Sequence, residues 1–463
     1  MTHPTIQFFG AAETVTGSKH MVTANGRRVL LDCGLFQGLK QLRMRNWQAP
    51  PFDPQEIDAV VLSHAHLDHS GYLPLLVRLG YERPIYCTAA TRDLLAILLR
   101  DSAYLQEEQA AHANRHRYTR HKPALPLYTM EDVENTLPLI RAQSNQQAFE
   151  VTDGVSAVFR CAGHILGSAT VELQLQGSPD RKIAFSGDLG RWGRPILKDP
   201  VPVPEADVVL VESTYGNREH APEPDADLAR VICETAQRGA ALIVPAFAVG
   251  RSQELLWRIR ELEVDGRIPS VPVYADSPMA INVTDVYRRH PEEHDLEMAA
   301  LMNSKARPLC PKLFQTARTS LQSKALNDIK GPLIIVSASG MASGGRVLHH
   351  LKRRLPDKRT TVLLCGYQAA GTRGRTLQEG ARKVRIHGKE ISVRARVETL
   401  HGLSAHADWR ELIVWLSQFE QPPKKAFAVH GEASAAQALV DAIREHLGWE
   451  ASVAVDGATV VVE

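Results

Sequence analysis

Between Ser63 and Gly71 the chain reads SHAHLDHSG, which places His64, His66, Asp68 and His69 within six positions. Imidazole and carboxylate groups share one property that matters here: each offers a lone pair to a cation. A solvated surface loop has little use for so many of them. With no thiolate among them, the set suits zinc first, with manganese or iron as alternatives. His64 and His66 are two apart at the end of an apolar run, so on a strand end both point the same way. Asp68 and His69 follow in the turn and reach the opposite side, and Gly71 opens a helix. Later apolar runs end in the same manner: His164 sits in AGHILGSA, Asp188 in FSGDLG and His430 in AVHGE. Each alone reads as a capping or hydrogen-bonded residue. Together with the first four they complete two metal sites.

The elements that must position these groups are legible as strands. RRVLLDCG, IDAVVLSH and KIAFSGD are apolar runs that end in polar or glycine residues, and VSAVFRCAGH and TVELQLQG alternate as half-buried strands do. Loops at the ends of a rigid sheet are where binding residues concentrate. Near Ser213 the pattern changes. GAALIVPAF, VPVYAD, GPLIIVSAS and TTVLLCGY are short buried runs separated by helical stretches such as RSQELLWRIREL, which predicts a parallel sheet with crossover helices. After about residue 396 the first pattern returns: GLSAHADWRELIVWLSQF reads as a loop entering a helix, and KAFAVHGE as a strand ending in His. The expected organisation is therefore a domain begun in 1–212, interrupted by an inserted domain at 213–396, and completed by 397–463. The His-rich segment Glu107 to Tyr128 reads as helix then loop.

The chain has 463 residues, of which 44% are hydrophobic and 23% charged, as in ordinary globular proteins. No basic stretch followed by an apolar one marks the amino terminus as a signal peptide. The longest apolar run, AALIVPAFAVG, is too short to span a bilayer as a helix. The six cysteines are scattered and form no CxxC pair, which argues against a disulfide framework or a cysteine zinc ribbon and for a cytoplasmic location. The net charge of +2 conceals an asymmetry: Ser213 to Arg396 has 29 Lys+Arg against 19 Asp+Glu, and within it residues 301–396 have 20 against 4. Such a surplus suits a polyanion, because Lys and Arg neutralise phosphates and release condensed counterions. Within it, SASGMASGGRVLHHL runs from a buried strand through Gly-rich turns into a helix. Backbone N–H groups at such a turn bind anions, so Ser339, Gly340, Gly344, Gly345 and Arg346 are candidates for contact with a backbone phosphate. Arg373 and Arg375 of GTRGRT are further phosphate-facing candidates. Aromatic residues are only 6%, so recognition through phosphates is expected over broad base stacking.

The ordered set LDCG, SHAHLDH, AGHILGSA and SGD resembles the metallo-β-lactamase superfamily. VESTYGNR, PAFAVGRSQELL, ADSPMA, SASGMASGGR, GLSAHAD and VHGE extend the resemblance over nearly the whole chain to the β-CASP family of nucleic-acid nucleases. Within it the chain is most similar to bacterial and archaeal relatives of the nuclease subunit of the cleavage and polyadenylation specificity factor. The resemblance implies an α/β fold: a four-layer αββα sandwich with an inserted parallel-sheet β-CASP domain. It implies two zinc ions per chain, one on His64, His66 and His164 and one on Asp68, His69 and His430, bridged by Asp188. Asp32 would support the ligand loop without binding metal. His406 would be the general acid, paired with Glu212, and these two join Asp68 and Asp188 as the catalytic set. His430 favours RNA, because the DNA-processing branch has an apolar residue there. The implied function is hydrolysis of single-stranded RNA by a two-metal mechanism with a shared hydroxide nucleophile, in RNA processing or decay. Endonucleolytic cutting and 5′-to-3′ trimming both stay open, as do a homodimer and membership of a processing or decay complex. The competing readings are a non-catalytic RNA-binding scaffold and a DNA nuclease of the same family.

Overall fold

The structure is a computed structural model that describes residues 3–116, 121–221, 224–304, 306–366, 368 and 371–463. Part of the His-rich segment, residues 117–120, thus lies outside the described residues. The chain forms two compact units. The first comprises Met1–Gly193, Asp199–Glu219 and His406–Glu463; the second comprises Arg194–Lys198 and His220–Ala405.

The first unit has two 7-stranded sheets. One runs in the order Thr459–Val461, Thr5–Phe8, His20–Ala24, Arg27–Leu31, Ala59–Val61, Ile85–Thr88, Ile140–Gln143. The other runs Ala451–Val453, Lys425–Val429, Val208–Glu212, Arg181–Phe185, Ala169–Leu175, Val155–Cys161, Ala148–Thr152. Their facing sides share one core, to which Phe8, Val29, Leu31 and Val61 contribute from the first sheet and Phe159, Leu173, Phe185 and Leu210 from the second. Strand alternation explains the sorting of side chains. Val208 and Leu210 face that core, whereas Val209 and Val211 turn outward and pack with Leu412, Trp415, Leu439 and Ile443 of the helices Trp409–Leu416 and Ala433–Leu447. The long helix Ala89–His116 covers Ile85–Thr88 and Ile140–Gln143 on the outside of the first sheet. The result is the four-layer αββα sandwich.

The second unit is built on a 6-stranded sheet, ordered Phe314–Thr316, Val273–Ala275, Leu333–Ser337, Ala241–Pro245, Thr361–Cys365, Arg396–Leu400, with every pairing parallel. Apolar cores cover both faces, as a parallel sheet requires. The insert reaches past the expected end at residue 396, because Arg396–Leu400 pairs with Thr361–Cys365 as the last strand. Arg194–Lys198 also joins this unit: Asp295 N–H donates to Ile196 O and Lys198 N–H to Glu293 O. Conversely Thr214, Tyr215 and His406 belong to the first unit. Among the described residues no helix is long and apolar enough to cross a membrane.

Candidate metal centre

Strand ends of the first unit bring the predicted ligands together. His64 and His66 follow Ala59–Val61, and His66 is the residue before a short helix, Leu67–Ser70, that carries Asp68 and His69. The turn after Ser63 is thus helical earlier than expected, with a second helix at Leu73–Arg78. This ligand segment is tied to its neighbours through the backbone. Ser18 N–H donates to Asp68 O, Cys33 N–H to His69 O and Leu35 N–H to Leu67 O. The approach is so close that a Cβ on Gly34 would lie 1.6 Å from Asp68 O, so only glycine fits there.

The ligand atoms fall into two groups that share one carboxylate. In the first, His66 Nδ1 lies 3.1 Å from His64 Nε2 and 3.3 Å from His164 Nε2, and Asp188 Oδ2 lies 3.5 Å from the Nε2 atoms of His64 and His164. In the second, His69 Nε2 lies 3.0 Å from His430 Nε2, and His430 Nε2 lies 3.6 Å from Asp68 Oδ2. Asp188 turns its other oxygen to this group: Oδ1 lies 3.2 Å from His69 Nε2. Within His64, His66, His164 and Asp188, and within Asp68, His69 and His430, one donor atom per residue lies within 4.8 Å of all the others.

The donor set fits cations. Buried Asp188 Oδ1 has no hydrogen-bond partner among the described residues. Burial and the neighbouring imidazoles push His64 and His164 well below the usual imidazole range, so they offer lone pairs at neutral pH. Burial opposes the ionised form of Asp68, yet His430 and His69 hold it down at about 2. Asp188 stays ionised for the same reason, against its own burial. Burial also opposes a proton on His69, but Asp188 and Asp32 outweigh it and draw one there. Positive charge is wanted at this place, and neutral imidazoles with ionised carboxylates are the state that metals bind.

Groups behind the ligands fix their orientation. Asp32 is fully buried and sits at φ 58°, in the left-handed region. Its Oδ2 lies 2.7 Å from His69 Nδ1 and accepts from Ser18 and Ser63 hydroxyls at 3.0 Å, and its Oδ1 accepts from Ser63 N–H at 2.8 Å. Ser63 Oγ is also 3.0 Å from His64 Nδ1. Thr214 Oγ1 lies 3.2 Å from His430 Nδ1 and donates to His430 O at 3.1 Å, where His430 has φ 50°. Sequence reasoning identified Asp32 but missed Ser63, Thr214, Ser18 and Gly34.

His406 stands beside this centre. Its Nδ1 lies 3.2 Å and 3.1 Å from the two carboxylate oxygens of Glu212, and its ring centroid is 4.5 Å from that of His164. Burial works against its charged form, but Glu212 and Asp188 outweigh that and raise its pKa to about 9. Glu212 is fully buried and also accepts from Leu189 N–H at 2.6 Å, so one carboxylate holds both the backbone and the His406 ring. Asp408, two residues past His406, caps the helix Trp409–Leu416 through a capping box with Glu411.

Comparison with known proteins supplies the family. Residues 27–244 match the Beta-lactamase superfamily domain, residues 252–377 the Beta-Casp domain, and residues 390–454 the Zn-dependent metallo-hydrolase RNA specificity domain. Ribonuclease TTHA0252 of Thermus thermophilus is 40% identical over 434 residues, spanning 93% of this chain and 94% of the relative. The chain belongs to the β-CASP family of metallo-β-lactamase-fold RNA nucleases. Other relatives of this β-CASP chain include the RNase J-like protein of Methanocaldococcus jannaschii, 32% identical with 92% of each chain covered. Transcription termination factor FttA of the same organism is 31% identical, covering 95% of this chain and 68% of that one. A protein of unknown function from Enterococcus faecalis shares the fold alone, with a TM-score of 0.56 at 15% identity over 99% of this chain and 100% of its own.

The β-CASP insert treats its Gly-rich turn differently from the metal centre. Ser339, Gly340, Gly344, Gly345 and Arg346 do lie between the strand Leu333–Ser337 and the helix Val347–Arg354. Arg346, however, turns inward. Its guanidinium pairs with buried Asp276 at 2.9 Å and donates to Ala317 O and Arg318 O at 2.7 Å and 2.8 Å. Asp276 Oδ2 also accepts from Ser323 Oγ and lies 2.6 Å from His350 Nε2. Arg346 therefore braces the turn. Arg373 is a second brace, donating to Ser343 O at 2.9 Å and Arg385 O at 2.9 Å. Arg375 pairs with Glu379 one helical turn on. What the turn exposes is its backbone: a Cβ on Gly344 would meet open space.

Proposed function

We propose that this chain hydrolyses phosphodiester bonds of single-stranded RNA with two zinc ions, one on His64, His66 and His164 and one on Asp68, His69 and His430. Asp188 serves both. The observation that supports this most is the division of the Asp188 carboxylate, with Oδ2 turned to His64 and His164 and Oδ1 to His69. When bound, a metal pair supplies an activated water at neutral pH and positive charge for the phosphate under attack. The protein's own groups do the rest. Asp32, Ser63 and Thr214 hold the imidazoles in the tautomers that aim them inward. Glu212 engages His406 Nδ1 and favours the charged ring, leaving the Nε2 proton for the departing alkoxide. Backbone groups of the turn at Ser339, Gly340, Gly344 and Gly345 receive a phosphate, with the basic surplus of the insert around them. The free cysteines fit a reducing compartment, and we place the chain in the cytoplasm.

The test is a cleavage assay on a 5′-labelled single-stranded RNA and the DNA of the same sequence, resolved on a gel. RNA is cut and DNA largely spared, and the fragment ladder separates internal cutting from trimming at the 5′ end. Intact RNA in protein shown to hold its metals would contradict the proposal and favour a scaffold. Equal cutting of both polymers would favour a nuclease without sugar discrimination.

A further inference from the structure

Phe247 follows the interior strand Ala241–Pro245 of the insert's sheet, and its side chain is 44% exposed. Among the described residues of the second unit it is the only aromatic among the exposed large hydrophobic side chains. Its chain neighbours Ala246, Ala248 and Val249 are buried, so on this loop the exposed apolar group is the one ring. A protein partner needs contiguous apolar area; a single ring suits a single planar group.

The ring is held where it is. Ser252 donates to Phe247 O through both its N–H, at 3.2 Å, and its hydroxyl, at 2.7 Å. Across from it lies Gly340: a Cβ there would sit 2.8 Å from Phe247 Cδ2 and 2.9 Å from Cε2. The φ of Gly340 is not in the left-handed region, so this glycine is needed for clearance and not for backbone freedom. Gln368 Nε2 donates to Gly340 O at 3.3 Å and fixes that backbone.

The surroundings suit a nucleic acid. Phe247, the turn from Ser339 to Gly345, and Gly366 each lie just beyond the carboxyl end of a parallel strand, which is where open α/β sheets bind ligands. On the same loop as Phe247, Arg251 begins the helix Arg251–Val264; it is buried and pairs with Glu254 at 2.7 Å, which anchors the loop from inside. Charge is complementary to a polyanion, with 20 basic against 4 acidic residues in 301–396. Single-strand binding combines such charge with an aromatic platform on which a base stacks.

We propose that Phe247 seats one nucleobase of the RNA strand, with Gly340 kept bare so that the ring stays in place. The seat rests on the RNA reading above and adds to it a base contact beside the backbone phosphates.

The test measures binding of two oligomers of about a dozen nucleotides, an oligouridylate and an abasic strand of equal charge. The metal-loaded full chain carries His406→Ala in every case, and a gel verifies that the RNA stays whole. The parent binds the oligouridylate more tightly than the abasic strand. Phe247→Ala weakens the oligouridylate about 5- to 100-fold and leaves the abasic strand unchanged. Phe247→Trp retains affinity, and its added fluorescence is quenched on binding. A Phe247→Ala protein that binds the oligouridylate like the parent, or that loses both strands equally, overturns the seat. A parent that binds neither strand overturns the RNA reading itself, and the seat with it.

Discussion

Both units build a working edge just beyond strand ends, and they fill it in opposite ways. In the first, the strand ends deliver His64, His164, Asp188 and His430, and side-chain donors converge. Behind them Asp32, Ser63 and Thr214 occupy the second nitrogens of His69, His64 and His430. In the second, two arginines at the turn are drawn inward. Arg346 is absorbed by Asp276 and two carbonyls, and Arg373 by the carbonyls of the turn. The backbone and Phe247 are left facing out. A metal ion needs lone pairs fixed in direction, so the first edge spends its polar groups on aiming ligands. On the proposed reading an RNA strand needs a smooth edge and a field, and the second edge spends its polar groups on holding a bare turn in shape.

This contrast can be broken at several points. The largest effect is expected from Asp188→Ala, which removes the shared carboxylate. Cleavage should fall by at least about a thousandfold, with metal lost from the purified protein by elemental analysis. Retained activity would mean that the two groups do not depend on a common ligand. Next comes His406→Ala, which should lower the cleavage rate by about 10²- to 10⁴-fold while metal content and RNA affinity hold. Its partner gives the sign of the pH effect. A proton on His406 is present below its raised value of about 9 and is lost as pH rises through it. Glu212→Gln removes the charge that raises it, so the alkaline limb of kcat/KM should move to lower pH. An unmoved limb would assign the proton to another group.

Two substitutions should have smaller effects. Asp32→Asn should weaken metal affinity by about 10- to 100-fold, read by chelator competition, and leave RNA affinity alone. Arg373→Ala should do the reverse: RNA binding weakens several-fold and stability drops by about 1 kcal/mol on thermal unfolding, with the metal content of the chain intact. If Arg373→Ala also emptied the metal centre, the two edges would not be the independent constructions described above.

The candidate ligands could be read because lone-pair side chains after apolar runs are a pattern in the sequence, and the family resemblance implied how they pair. The sandwich and the parallel insert followed from the change in strand style near Ser213. Other features depend on partners far away in sequence. Arg346 reads as a phosphate ligand until Asp276, on another strand end, is seen to claim it. Gly34 reads as an ordinary turn residue until Asp68 O is found against it. The strand Arg396–Leu400 was missed because its exposed and half-buried edge positions, in RVETL, lack the apolar run that marks its neighbours. Phe314–Thr316 spans only 3 residues and gives no periodic signal.

Metal reconstitution tests whether a shared two-metal centre cuts RNA. Protein stripped by a chelator and titrated with zinc should regain RNA cleavage that levels off at about two equivalents per chain. Full activity at one equivalent, or cleavage that survives complete removal of metal, would contradict it.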